Sequence, residues 1–134
     1  RSRRYGVLLA AMVSSVLFGL MHVSVGGLSA DQPFVVLQAI AKPLQAALFG
    51  LVMAALYVST RSLWFVVGLH SFFDMLYLGP LVVTTGMPTT YVTGNSGEAG
   101  VLCATVLLLI PLAYVAVKQL SSARVVTQDA AAMK

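Results

Sequence analysis

Long apolar runs separated by short polar breaks set the pattern of this chain. The first run extends from Gly6 to Leu28 and contains no charged residue. A helix that crosses the hydrocarbon core of a bilayer needs about 20 mostly apolar residues, so this run predicts a membrane span. Ala11, Ser15 and Gly19 recur in it at every fourth position, a spacing that places small side chains on one face and lets a second helix approach closely.

The second apolar region, Phe34 to Ser59, is interrupted by Lys42 and Pro43. Proline inside a helix removes a backbone hydrogen bond and kinks or ends the helix. We therefore expect a short interfacial or re-entrant segment over 34–41, followed by a span over 43–58. A lysine at this depth is costly unless its ammonium group snorkels to the membrane interface.

Two further runs complete the pattern. The third span is predicted over 63–83, and only the three residues 60–62 separate it from the second, so the two helices should pack antiparallel. After a polar loop rich in glycine and threonine, a fourth span is predicted over 101–117. The fold class is therefore all-α: a polytopic transmembrane helix bundle of about four spans, in one domain over residues 1–134, forming part of a larger bundle.

Composition supports the membrane assignment and limits the function classes. The chain is 59% hydrophobic and 9% charged, whereas soluble domains are roughly 25% charged. Its basic residues lie at segment ends and form no patch interleaved with aromatic residues, which argues against nucleic-acid binding. If the N-terminus is cytoplasmic, seven of the 8 basic residues lie on the inner side and Lys42 is the exception. The positive-inside rule thus predicts an integral membrane protein with both termini of this chain cytoplasmic.

The third span carries an imidazole and a carboxylate, His70 and Asp74, and the other histidine, His22, lies in the first span. Residues four apart stand on one face of a helix, and ionisable groups in membrane segments usually face a protein interior or a wet cavity. Two histidines and one carboxylate are a recognised ligand set for zinc or a related divalent metal, with a position left for water. Such an ion makes hydroxide available near neutral pH.

Three other interpretations of these residues stay open. His70 and Asp74 alone could form a self-satisfied pair that joins helices, and His22 could be an interhelical hydrogen-bonding residue. Two histidines on two helices could also ligate a haem. The haem interpretation is less favoured, because Asp74 would place a charge beside the porphyrin.

Two short motifs resemble those of a known family. Phe18-Gly19-Leu20-Met21-His22 resembles the FxxxH motif of the CPBP family of intramembrane endopeptidases, which includes the CAAX prenyl proteases and the Abi-type bacteriocin-processing or immunity proteins. His70-Ser71-Phe72-Phe73-Asp74 resembles its later Hxxx(N/D/B) motif, and Ser62-Leu63-Trp64 resembles the lead-in to it. The similarity extends over about 7–78.

The resemblance implies that His22, His70 and Asp74 are active-site residues inside the membrane, where water is activated to cleave a peptide bond. If a metal does this, the two histidines are ligands and Asp74 is a ligand or an orienting group. If the enzyme is of the glutamate type, these residues position water and stabilise the oxyanion. The implied partners are the lipid bilayer and either a prenylated protein or another membrane-associated peptide; the oligomeric state is not predicted.

The chain departs from the family in one respect. It has no Glu-Glu pair followed by an arginine, the motif that supplies the catalytic base on a preceding helix, and its one glutamate, Glu98, lies in the polar loop. The basic start, residues 1–4, resembles the loop after that helix. We therefore expect a C-terminal portion of a CPBP-like protein that is incomplete and inactive alone. The competing hypothesis is a non-catalytic membrane immunity or interaction protein that keeps the scaffold.

The depths of the two histidines in their spans differ. His22 lies roughly 24 Å and His70 roughly 10 Å from the start of its predicted span at helical rise. Straight helices with these starts would not bring the rings together. We nevertheless expect His22 and His70 to face one another, with either the first span starting later or the third starting deeper.

Overall fold

The computed structural model describes residues 4–23, 31, 33–86 and 92–123 of the chain. Four helices account for nearly all of these residues: α1 (Arg4–Leu20), α2 (Pro33–Thr60), α3 (Leu63–Thr85) and α4 (Ser96–Ser122). The predicted all-α fold is confirmed. Helices α2, α3 and α4 are long and apolar enough to cross a membrane, whereas the apolar part of α1, Gly6–Leu20, is shorter. The rest of the predicted first span includes 24–30, which lies outside the described residues.

Helix α2 differs from the expectation, because it continues through Pro43 as one helix of 28 residues. The predicted division into a short segment over 34–41 and a separate span over 43–58 is therefore corrected. Residues on both sides of the proline, Lys42 and Ala46, are buried, since α1 and α4 pack along α2. Such packing lets a membrane helix tolerate the single hydrogen bond that proline removes.

Helix α2 is the centre of the bundle. Helices α1 and α4 pack against it and against each other, whereas the described backbone of α3 contacts α2 alone. One core cluster joins α1, α2 and α4 through Ala11, Ala55 and Leu120. A second cluster, around Phe49 and Met53 of α2, joins α4 and α3. Helix α3 therefore stands slightly apart, with an open space on either side of it.

The crossing of α1 over α2 is very close. A β carbon added to Gly19 would lie 2.5 Å from the Pro43 carbonyl oxygen and 2.9 Å from Ala47 Cβ. One added to Gly50 would lie 3.3 Å from a ring carbon of Phe18. Gly19 belongs to the small-residue stripe predicted in the first span, so the predicted role of that stripe in close helix packing is confirmed.

The turn between α2 and α3 is short and reverses the chain. Arg61 adopts a left-handed conformation with φ 55°, and the Ser62 hydroxyl accepts a hydrogen bond from the Phe65 amide at 3.2 Å to cap α3. The two helices then run antiparallel, with the Phe49 and Phe73 rings stacked at a centroid distance of 4.5 Å. This confirms the predicted antiparallel pair and brings α3 back along α2 towards the end of α1.

Candidate active site

His22 lies just beyond the end of α1, on the turn that follows Leu20. Its Nδ1 atom is 2.7 Å from the Phe18 carbonyl oxygen, and its ring centroid is 4.6 Å from that of Phe18. Because a carbonyl oxygen can only accept a hydrogen bond, Nδ1 carries the proton of this contact. In the neutral ring the lone pair is then on Nε2.

His70 and Asp74 lie one turn apart on α3 and form a pair. The distance from His70 Nε2 to Asp74 Oδ2 is 3.3 Å, and the two side chains are 35% and 52% exposed. The predicted placement of both residues on one helical face is confirmed. Since a carboxylate can only accept, the proton between them is on Nε2 of His70, and in the neutral ring Nδ1 carries the lone pair.

The Phe18 ring is close to both histidine rings. Its centroid is 4.6 Å from the His22 ring and 5.8 Å from the His70 ring, so the imidazoles are separated by no more than the sum of these distances. His22, His70 and Asp74 all line one cavity of about 30 Å³ between α1, α2 and α3. His22 and His70 were expected at different depths in their spans, but both line this cavity. They do so because the end of α1 lies beside the part of α3 that runs antiparallel to α2.

Two polar residues of α2, Lys42 and Gln45, line the same cavity and are absent from the residues predicted for the site. Lys42 is 7% exposed. Its Nζ atom donates a hydrogen bond to Gln45 Oε1 at 2.9 Å and lies 4.4 Å from the centroid of the Tyr77 ring. The lysine thus points into the protein and interacts electrostatically with Asp74, so these contacts, and not snorkelling to the interface, offset the cost of its depth.

A pattern in the sequence could have found these residues. Gln38, Lys42 and Gln45 follow one another at spacings of four and three, which places them on one helical face. All three are buried. A polar stripe within an apolar helix indicates a protein-facing site, in the same way as an isolated histidine does.

The small cavity is connected to helix α4 through a hydrogen-bonded chain. Gln45 Nε2 donates to Thr105 Oγ1 at 2.5 Å, and the Thr105 hydroxyl donates to the Leu102 carbonyl at 2.8 Å. Both Thr105 and Leu102 line a second, much larger space. The polar site is therefore adjacent to that space and shares its supporting side chains.

This larger space is a groove of about 780 Å³ between α3 and α4. Most of its wall is apolar and includes Leu76, Val101 and Leu108, whereas one end is polar. At the polar end Gln38 accepts hydrogen bonds from the Thr93 amide at 2.9 Å and the Gly94 amide at 2.8 Å. Its Nε2 atom donates to the Asn95 carbonyl at 3.2 Å. These bonds fasten the start of α4 to α2.

Glu98 lines this groove and accepts a hydrogen bond from the Thr93 hydroxyl. It is not among the residues that line the small cavity with His22 and His70. On the opposite side of α3, a cleft of about 290 Å³ lies between α1 and α3 and also reaches His70. The His70 imidazole is thus accessible from that cleft as well as from the small cavity.

The donor set does not fit the zinc site that the motifs imply. Within the described ranges, no three His, Cys, Asp or Glu side chains are grouped so that they could hold a metal ion. The ammonium group of Lys42 lines the cavity with the two histidines and would repel a divalent cation at short range in this poorly solvated place. The zinc site stays a prediction, and the reaction proposed for this cavity uses protein side chains.

Comparison with known proteins identifies a family. The family model described as Type II CAAX prenyl endopeptidase Rce1-like matches residues 1–76, which is more than half of the chain. The matched region contains α1, α2 and the first part of α3, with His22, His70 and Asp74. No similar protein was found among curated sequences, and no similar solved structure was found.

Proposed function

Because the chain belongs to the type II CAAX prenyl endopeptidase Rce1-like family, for which endopeptidase activity at the membrane is implied, we propose a specific site for that activity. The proposed site is the cavity lined by His22, His70 and Asp74, where a water molecule is held for attack on a peptide bond. One observation carries the proposal: both family motifs, on separate helices, contribute side chains to the same cavity.

The size and lining of the cavity suit water. A water molecule requires a cavity of about 10–15 Å³ and two to four polar partners. The cavity measures about 30 Å³ and is lined by His22, Lys42, Gln45, His70 and Asp74, together with apolar side chains. It therefore has room for one or two water molecules and polar groups on several sides to orient them.

The proposed reaction is hydrolysis by general base catalysis. The water oxygen adds to the scissile carbonyl carbon, and the proton it loses goes to an imidazole lone pair, on Nδ1 of His70 or Nε2 of His22. The carbonyl oxygen becomes negatively charged. When the tetrahedral intermediate collapses, the C–N bond breaks and the leaving amine takes the proton back from the imidazolium. Asp74 orients His70 and stabilises its charged form, as a carboxylate does for histidine in other hydrolases.

The choice of base depends on the Glu-Glu motif. No Glu-Glu pair occurs in the 134 residues, and Glu98 lines the groove between α3 and α4 and not the small cavity. Two of the described residues that line the cavity are imidazoles, and we assign the proton to one of them. If residues encoded upstream of Arg1 supply a glutamate to this cavity, that carboxylate accepts the proton and the two histidines orient the water.

The proposed substrate is a prenylated protein, whose isoprenoid chain would lie in the groove between α3 and α4. The groove is mostly apolar and has a volume of about 780 Å³, which suits a lipid chain. Phe73 lines both the groove and the small cavity. A chain held in the groove would thus bring the attached peptide close to His70.

The proposal is tested with protein expressed in membranes from the full coding region. His70→Ala should lower cleavage of a prenylated CaaX peptide by about 100-fold or more, because it removes a proton-transfer group. Ser71→Ala, an exposed neighbour on the same helix, is the matched control and should cleave normally. Cleavage at the wild-type rate by His70→Ala, at equal protein levels, would refute the proposed site.

A further inference from the structure

We propose that Lys42 is a catalytic residue of this site, in which its ammonium group binds the carbonyl oxygen of the scissile bond. The positive charge would stabilise the oxyanion that forms when water adds to the carbonyl carbon. This inference rests on the proposed function and assigns to Lys42 the electrostatic role that a metal ion has in metallopeptidases.

The position of Lys42 supports the proposal. It lies in the middle of the apolar helix α2 and is 7% exposed. Its Nζ atom is held by Gln45 Oε1 at 2.9 Å and by the face of the Tyr77 ring at 4.4 Å. Gln45 is in turn fixed by Thr105. The ammonium group is therefore pre-oriented in the cavity, and such preorganised charge is worth more in a water-poor site than in solution.

The other hydrogen-bond donors of the cavity are directed elsewhere. Nδ1 of His22 donates to the Phe18 carbonyl, Nε2 of Gln45 donates to Thr105, and Nε2 of His70 is paired with Asp74. Among the described residues around this cavity, Lys42 is the one lysine or arginine. Peptide hydrolysis places a full negative charge on the carbonyl oxygen, so Lys42 is the group best suited to receive it.

If Lys42 had a purely structural role, its variants would behave differently. Asp74 is an electrostatic partner of Lys42, and the pair could simply join α2 to α3. If joining the helices were its only role, Lys42→Met would lower the amount of folded protein, because one partner of the pair is lost. The kcat of the molecules that still fold would be unchanged.

The experiment measures kcat and KM for a prenylated peptide with purified full-length protein. Lys42→Met should lower kcat by about 100- to 1,000-fold, the usual effect of removing one oxyanion-stabilising donor, and change KM by less than about 2-fold because the charge acts on the transition state. Lys42→Arg should retain more turnover than Lys42→Met. Lys118→Met is the control, since Lys118 is exposed and lies over a tyrosine in the same way, 4.8 Å from the Tyr114 ring.

The turnover of the folded molecules then separates the two roles. We expect Lys42→Met to lower kcat per folded molecule in the membrane, whatever its effect on the amount of folded protein. A Lys42→Met protein whose folded molecules keep the wild-type kcat would overturn the inference. That result leaves the proposed function standing as long as His70→Ala is inactive; if His70→Ala also cleaves normally, the proposed function itself fails.

Discussion

The close crossing of α1 and α2 at Gly19 gives the sharpest prediction about stability. In the Gly19→Ala variant the new β carbon would lie 2.5 Å from the Pro43 carbonyl oxygen and 2.9 Å from Ala47 Cβ. Neither atom is at the end of a flexible side chain, so the helices must move apart. Overpacking of this kind costs about 1–3 kcal/mol. Because His22 follows Gly19 by three residues, the displacement should also lower cleavage.

The matched control is Gly68→Ala, where the added β carbon would meet no atom within 4 Å. Alanine favours a helix over glycine by about 1 kcal/mol at either position, so this gain cancels when the two variants are compared. Gly19→Ala should therefore be less stable than Gly68→Ala by about 1–3 kcal/mol, the overpacking term alone.

The assay is thermal unfolding of the purified protein in detergent, followed by circular dichroism. With roughly 4 °C of Tm per kcal/mol for a domain of this size, the two variants should differ by about 4–12 °C. Equal Tm values, or a Gly19→Ala protein more stable than wild type, would show that α1 and α2 do not cross at Gly19 as closely as described.

Three further predictions concern the groove, its polar end and the metal. Gln38→Leu should speed amide hydrogen exchange at Thr93 by at least about 10-fold, because the buried acceptor of that amide is lost. The exposed control Gln119→Leu should leave this exchange rate unchanged, and equal protection of Thr93 in both variants would refute the hydrogen bond from Thr93 to Gln38. Val101→Trp, which fills the groove, should raise KM for a prenylated peptide more than KM for the same peptide without the lipid. Leu107→Trp, which lies outside the groove, should change neither KM value. Dialysis against a strong chelator should leave cleavage unchanged; activity lost on chelation and regained with zinc would contradict the metal-free assignment.

The sequence was sufficient for the fold class, and it singled out three residues that lie at one cavity. His22, His70 and Asp74 stand out because ionisable groups are costly within membrane helices, and the structure places all three at one cavity. The small-residue stripe of the first span likewise predicts close packing, which Gly19 shows.

Other features depend on contacts between distant segments. Gln45 bonds to Thr105 and Gln38 to Thr93, residues that are 60 and 55 positions apart, and no local pattern predicts such pairs. The continuity of α2 through Pro43 also follows from neighbouring helices, because their packing outweighs a local preference to break. Lys42 stood out in the sequence as the exception to the positive-inside rule, because that rule considers membrane topology and not tertiary contacts.

Whether His22 and His70 act on the same water molecule can be tested directly with three variants. Cleavage rates should be measured for His22→Ala, His70→Ala and the double variant, at equal levels of folded protein. If both imidazoles serve one site, the double variant should be no slower than the worse single variant, because groups that act as a unit are strongly non-additive. Losses that multiply, or a normal rate in either single variant, would contradict the shared site.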